Sequence, residues 1–370
     1  MVRLKIQENK VNKERKYLIK IFKPILIVMI IFGFNYMSCN RIATRILFSF
    51  YSLTLMAVFI YSTVRCCNIR WSMIWYTLEY TGVVVTLLIY RSKILVYLQK
   101  LIHLDTYLRI SFHHYYRTRR KQMMIMLIVL MVRLCHTHTY CSYYNCYNHI
   151  VLYLIYELSL FGMDFHQVWR FCMFEEIWRR LNLLRRRLEE FPESDIYLYV
   201  KNQKTMKENK IKFCFFLYRY IAELLDLISP ELDISFLISI VCSLPKLILN
   251  VYYILLVIDR HWRYETLGFM LIHLTLIAFF IFTPCAIVSY YGAEVQKIRL
   301  VLFHQLIYEN DHHTIEDIRF FLQYTYLKPF KHKIWRMVQV DLSLPLALLN
   351  LCTTYVIVVV NFTQVFNRAD

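Results

Sequence analysis

Apolar residues gather along the chain into seven runs of about twenty, the length at which a helix crosses a bilayer core of roughly 30 Å. The runs cover 46–64, 71–90, 122–143, 148–168, 234–258, 267–290 and 342–362. Short polar or basic stretches separate them. An eighth apolar stretch, 25–34, is only about ten residues long, which suits an interfacial or packed helix better than a crossing. The pattern predicts an all-α membrane protein with seven transmembrane helices.

Several of the intervening stretches have a helical period of their own. Residues 169–190 continue the fourth run, with Ile177, Leu181, Leu184 and Leu188 on one face and arginines filling much of the rest. Glu175 with Arg179, and Glu176 with Arg180, are i,i+4 pairs in the favourable order. Residues 212–227, 294–306 and 315–326 show similar stripes. Long helical extensions beneath the membrane follow, able to pack as a bundle that ties the spans or the subunits together.

Composition sharpens this picture. The chain has 370 residues, 58% hydrophobic, with five Gly and seven Pro, whereas soluble domains sit nearer half apolar. No linker rich in Pro, Gly or Ser divides it. One domain therefore spans 1–370: an N-terminal segment 1–45, spans one to six with their helical extensions over 46–341, and the last span with a short tail over 342–370. The N-terminus is polar and basic for too long to be a cleavable secretory signal.

The net charge of +18 punctuates apolar runs and does not gather on one face of a soluble domain, so nucleic acid is not an expected partner. Its use is orientation. Thirty-seven of the 44 Lys and Arg fall on the side holding the N-terminus, and five on the other. By the positive-inside rule the N-terminus is cytoplasmic and the C-terminus extracellular, the reverse of a G-protein-coupled receptor.

Charges also lie within the runs or at their rims: Glu79, Arg133, Glu157, Asp164, Lys246 and Asp341. Such groups need partners or a wet cavity. Antiparallel spans three and four put Arg133 and Glu157 at similar depth, which predicts a structural pair. Aromatics crowd the outer span ends, as an interfacial belt does, and some could line an outward-open pocket for small organic ligands. Trp75, Tyr140, Tyr153, Tyr253 and His273 are the candidates. No phosphate loop, HExxH or GxSxG occurs, so neither an enzyme nor a cofactor is expected. His136 with His138, and His312 with His313, lack the further ligands a metal would need. Cys135, Cys141, Cys146 and the pair Cys66-Cys67 fall near external loops, where either disulfides or plain small apolar residues fit. The sequon Asn361-Phe362-Thr363 lies too close to the membrane for glycosylation.

The most specific signal is near the C-terminus. Thr354-Tyr355 is followed by five β-branched apolar residues, then Asn361-Phe362. This resembles the Thr-Tyr-five-apolar-Gln-Phe signature ending the last helix of insect gustatory receptors. Upstream, Phe320-Phe321-Leu322-Gln323 is similar to that family's Phe-x-Leu-Gln element. Asn361 stands where the family has Gln, and the usual Gly before the last span is replaced within Arg336-Met337-Val338, which suggests a divergent member of a bitter-type or orphan lineage. The resemblance implies a ligand-gated cation channel in the plasma membrane of sensory neurons, opened by a small-molecule tastant. It implies a homo- or hetero-tetramer with other gustatory receptors, with four copies of the last helix around a pore. Asn361 and Phe362 carry over as the constriction, and Val358 and Thr354 as weaker pore-lining candidates. The reading from another class is a secondary transporter of a small organic solute, to which charges inside spans are natural, although no internal repeat is visible.

Overall fold

The computed structural model describes residues 27–34, 42–66, 72–108, 110, 112–144, 150–189, 200–259, 264–334 and 338–366. These form α1 (Ile42–Cys66), α2 (Ser72–Tyr107), α3 (Phe112–Tyr144), α4 (Ile150–Glu189), α5 (Val200–Asp259), α6 (Tyr264–Tyr308), α7 (His312–Leu327), a hairpin of β1 (Lys333–Ile334) and β2 (Val338–Gln339), and α8 (Ser343–Phe366). Each of the seven apolar runs lies almost wholly within one long helix. Among the described residues, five helices are long and apolar enough to cross a membrane, namely α1, α2, α5, α6 and α8. The other two apolar runs lie in α3 and α4, which carry Arg133, Glu157 and Asp164.

Side-chain pairs show how the helices alternate in direction. Thr63 of α1 meets Thr77 of α2, while Arg91 of α2 meets Ser49 of α1. Along α3 and α4, Gln122 meets Glu176 and Arg133 meets Asp164. The C-terminal ends of α1, α3 and α5 and the N-terminal ends of α2, α4 and α6 therefore lie at one end of the bundle, called upper here. The C-terminal ends of α2, α4 and α6 lie at the other, lower end, with α7.

Five helices, α2 to α6, have 33 residues or more and overrun the span. At 60 residues, α5 is about 90 Å long by its rise of 1.5 Å per residue, three times the hydrocarbon core. The lower halves of α4, α5 and α6 pack with α7 around Leu181, Leu184, Leu217, Leu224, Ile298, Leu302, Ile318 and Phe321, all buried. The stripes predicted at 169–190, 212–227, 294–306 and 315–326 thus join one core, and the pairs Glu175–Arg179 and Glu176–Arg180 form at 2.8 and 2.7 Å. Arg180 also grips Asp105 through two bonds of 2.8 and 2.7 Å. Asp311 caps α7 by accepting from the Thr314 N–H.

Residues 27–34 behave as the short apolar stretch predicts, packing without crossing. A helical turn over 27–31 ends at Gly33, whose φ of +82° needs a residue lacking Cβ. Met29 and Phe34 are fully buried. The Tyr51 and Tyr80 hydroxyls donate to the Ile31 and Phe32 carbonyls, each at 2.8 Å. Gly162 of α4 admits Phe32, since a Cβ there would meet the Phe32 Cβ at 2.9 Å. Irregular backbone at membrane depth is tolerated where protein surrounds and satisfies it.

A second, smaller core joins α8 to α5 and α6 through Leu247, Ile277, Ile281, Cys352 and Val356. Most of the other described side chains of α8 are exposed, and its apolar window is the least buried of the five, at 17%.

Candidate functional site

Four of the six charges predicted inside the spans or at their rims, Glu79, Arg133, Asp164 and Lys246, meet around one cavity in the upper half of the bundle. The Arg133 guanidinium donates to Asp164 through Nε at 2.7 Å and Nη2 at 2.9 Å, with both residues buried. This corrects the expected partnership with Glu157, which instead accepts from the Thr137 hydroxyl at 2.9 Å. Helix direction explains the choice. A helical side chain leans toward its own N-terminus, so Arg133 leans down from α3 while Asp164 leans up from α4. Glu157, one layer higher on α4, leans away.

A second ion pair joins Lys246 of α5 to Glu79 of α2, both buried. The Lys246 ammonium also sits 3.8 Å from the centre of the Tyr76 ring, a cation–π contact. Gln167 donates to Glu79 and to Ser239, each at 2.9 Å. Tyr76 hydrogen-bonds His273, which in turn faces Asn250. Five helices thus contribute to two neighbouring polar groups, each built on an ion pair. Buried pairs of this kind stabilise little overall, because desolvation offsets their attraction, yet losing one partner is costly.

Both groups border the cavity, of about 40 Å³, between α2, α3, α4, α5 and α6. Tyr76, Glu79, Arg133, Asp164, Gln167, Ser243, Lys246 and His273 line it together with Leu160, Met163, Leu276, Ile277 and Phe280. Two lining atoms have no hydrogen-bond partner among the described residues: Arg133 Nη1 and Gln167 Oε1. Ile277 has two neighbourhoods, lining the cavity and packing in the small core with Cys352 and Val356 of α8.

On α8 itself, Pro345, Cys352 and Val356 face inward, while Ser343, Ala347, Asn350, Thr354, Val358 and Asn361 are exposed. At 100° per residue these six fall in one stripe opposite the buried face. The stripe is mostly polar on a helix that holds no charged residue. Just before it, Asp341 accepts from the N–H and hydroxyl of Ser343.

No protein-family model and no curated protein matches the sequence. Among solved structures, the chain is similar to the insect olfactory receptor OR5 from Machilis hrabei in complex with eugenol. The TM-score is 0.62 at 12% identity, over 95% of this chain and 99% of that one. The chain has the fold of an insect olfactory receptor.

Within that receptor fold the predicted site residues divide. His273 lines the cavity. Trp75 and Tyr253 do not; both are half-buried, and Tyr253 sits beside Tyr252. The side chains of Tyr140, Tyr153 and Phe362 lie outside the described residues, as do those of His136, His138, Cys66, Cys67, Cys141 and Cys146 and the whole of Arg336 and Met337. Phe321 and Leu322 are buried in the lower core, while Gln323, Thr354 and Tyr355 are exposed. Among the described residues, no group of three His, Cys, Asp or Glu is placed to hold a metal. Sequence reasoning passed over Tyr76, Gln167 and Ser243 as cavity residues, since only the rotation of each helix selects them. It also missed Ser343, Ala347 and Asn350, although their spacing from Thr354 was legible.

Proposed function

We propose that the chain is a gustatory receptor that works as a ligand-gated cation channel, with the upper cavity as its ligand site and α8 lining its pore. The observation that carries this reading is the polar stripe of Ser343, Asn350, Thr354 and Asn361 on the exposed face of an otherwise apolar span. Polar side chains facing lipid lose their hydrogen bonds to water at a cost of several kcal/mol. The same face turned toward its copies around an axis borders water instead. The family signature ending in Asn361-Phe362 supports a tetramer, in which four stripes enclose one pore.

The chemistry suits cations. Hydroxyl and amide oxygens can replace part of a cation's hydration shell, apolar Val358 and Phe362 can gate by dewetting, and an Asp341 ring at the lower mouth gathers cations. The bias of Lys and Arg toward the lower end supports a cytoplasmic N-terminus and an external C-terminus. In that orientation the cavity lies in the outer half of the plasma membrane, as expected for a sensory dendrite sampling a tastant. Opening is then a population shift, in which the ligand binds the open arrangement better than the closed one. The secondary-transporter alternative finds less support, because α5 and α6 stay helical through Pro245 and Pro284 where transporters commonly use broken helices.

The test is cysteine substitution along α8. Thiol reagents applied to cells carrying Asn350→Cys or Thr354→Cys should block agonist-evoked cation current, whereas Cys352 in the parent, facing inward, should leave it intact. Saturable solute uptake without channel current would replace this reading with transport.

A further inference from the structure

The cavity has a chemical signature of its own. Arg133 is 2% exposed and Gln167 is 7% exposed, and each presents one unpartnered atom at the same cavity, a donor at Nη1 and an acceptor at Oε1. Buried polar atoms are rarely left unpaired, and each that is marks a place for water or ligand. Asp164, which holds the Arg133 guanidinium of α3, is three residues before Gln167 on α4, so that guanidinium and the Gln167 amide are held at neighbouring positions on one face of α4. The surrounding charges balance, Arg133 against Asp164 and Lys246 against Glu79.

We propose that this cavity takes a small, net-neutral ligand of the amide class, whose carbonyl accepts from Arg133 Nη1 and whose N–H donates to Gln167 Oε1. The inference rests on the reading of this cavity as the ligand site. An apolar or aromatic ligand of the eugenol kind would displace the cavity's water while leaving both atoms dry, which loses affinity. A ligand with a net charge would find each neighbouring charge already paired and would enter unneutralised. An amide meets both atoms at once and replaces water without loss. About 40 Å³ holds about three water molecules, so the recognised group is small, whatever tail follows it. Sites built to hydrogen-bond their ligand reject analogues lacking those groups more strongly than apolar pockets reject a size change.

The experiment uses the full-length protein in lipid nanodiscs, with acetamide and eugenol as probes, followed by saturation-transfer NMR. Acetamide should bind saturably, and Arg133→Lys should weaken it about tenfold to a hundredfold, the effect of losing one hydrogen bond from a charged donor. That variant keeps a cation beside Asp164 but replaces the forked guanidinium, and with it the free N–H, by a single ammonium; monodisperse elution verifies that it folds. Gln167→Asn, which withdraws the acceptor, should weaken binding in the same direction. Saturable eugenol binding that ignores Arg133→Lys would overturn the proposal, and so would folded protein that binds no acetamide, since the cavity then holds water alone. The channel reading fails separately: acetamide binding with no agonist-evoked current sinks that reading and leaves this one standing.

Discussion

Replacing Arg133 by Met should destabilise the protein by about 3–5 kcal/mol, because it strands the Asp164 carboxylate without its cation. The geometry leaves little room for relief. Asp164 is 5% exposed and receives both guanidinium bonds, at 2.7 and 2.9 Å. With an unfolding entropy of roughly 2 cal/mol/K per residue over 370 residues, that loss lowers the melting midpoint by about 4–6 °C. The figure is a lower bound, since spans that stay helical when the bundle separates contribute less entropy. The double variant Arg133→Met with Asp164→Leu removes both charges and should lie within about 1 kcal/mol of the parent, or above it. The cycle therefore carries a coupling of several kcal/mol. Heating detergent-solubilised protein and measuring the surviving monodisperse peak reads all four corners. Glu157→Gln is the control for partner identity and should cost about 1 kcal/mol or less, since Gln still accepts from Thr137. If Glu157→Gln is as damaging as Asp164→Asn, or if the double variant loses the sum of its singles, the assignment of the pair is wrong.

Three further outcomes follow from particular contacts. Gly162→Ala pushes a methyl against the Phe32 Cβ at 2.9 Å and should cost about 1–3 kcal/mol, whereas Gly268→Ala, with nothing within 4 Å, should stabilise by about 0.5–1 kcal/mol; thermal melts with the same sign for both would refute this. Tyr80→Phe leaves the part-buried Phe32 carbonyl without its donor and should cost about 1 kcal/mol, read as faster protease cleavage before residue 42. Asp341→Asn removes the acidic ring proposed at the lower mouth and should lower single-channel conductance at low salt, with the difference fading as ionic strength rises; an unchanged conductance places Asp341 away from the ion path.

The elements were legible because they are long. Seven runs each exceed what a buried soluble helix needs, and the helical stripes at 169–190 and 315–326 continue past them, so length and period agree. Partnership was less legible. Counting residues from the helix ends puts Arg133 between Glu157 and Asp164, and only the lean of side chains toward each N-terminus selects the lower one. The cavity was harder still. Aromatic enrichment near the upper ends pointed to Trp75 and Tyr253, but an aromatic can serve an interfacial belt or a pocket equally well. What lines the cavity instead is the set of polar groups at Tyr76, Glu79, Gln167 and Lys246, which face inward because lipid excludes them. Charge inside a span was the better guide than ring content.

That exclusion also suits one bundle to both proposed roles, the cavity as ligand site and α8 as the helix facing the pore. Helix α6 turns one side to the cavity, through His273, Leu276 and Phe280, and another to α8. Ile277 belongs to both, lining the cavity and packing against Cys352 and Val356. A close-packed interface of this kind shifts between discrete arrangements and does not deform smoothly. A ligand that spreads α6 from the charged wall must therefore move Ile277, and Ile277 can move only by carrying α8 with it or by opening a void at Val356. Such a void costs about 20 cal/mol per Å² of new cavity surface, which favours moving α8 as a unit. On the far side of α8, displaced by the same motion, stand Asn350, Thr354 and Asn361. The residue that reads the cavity and the residues proposed to read the ion are thus separated by the width of one helix.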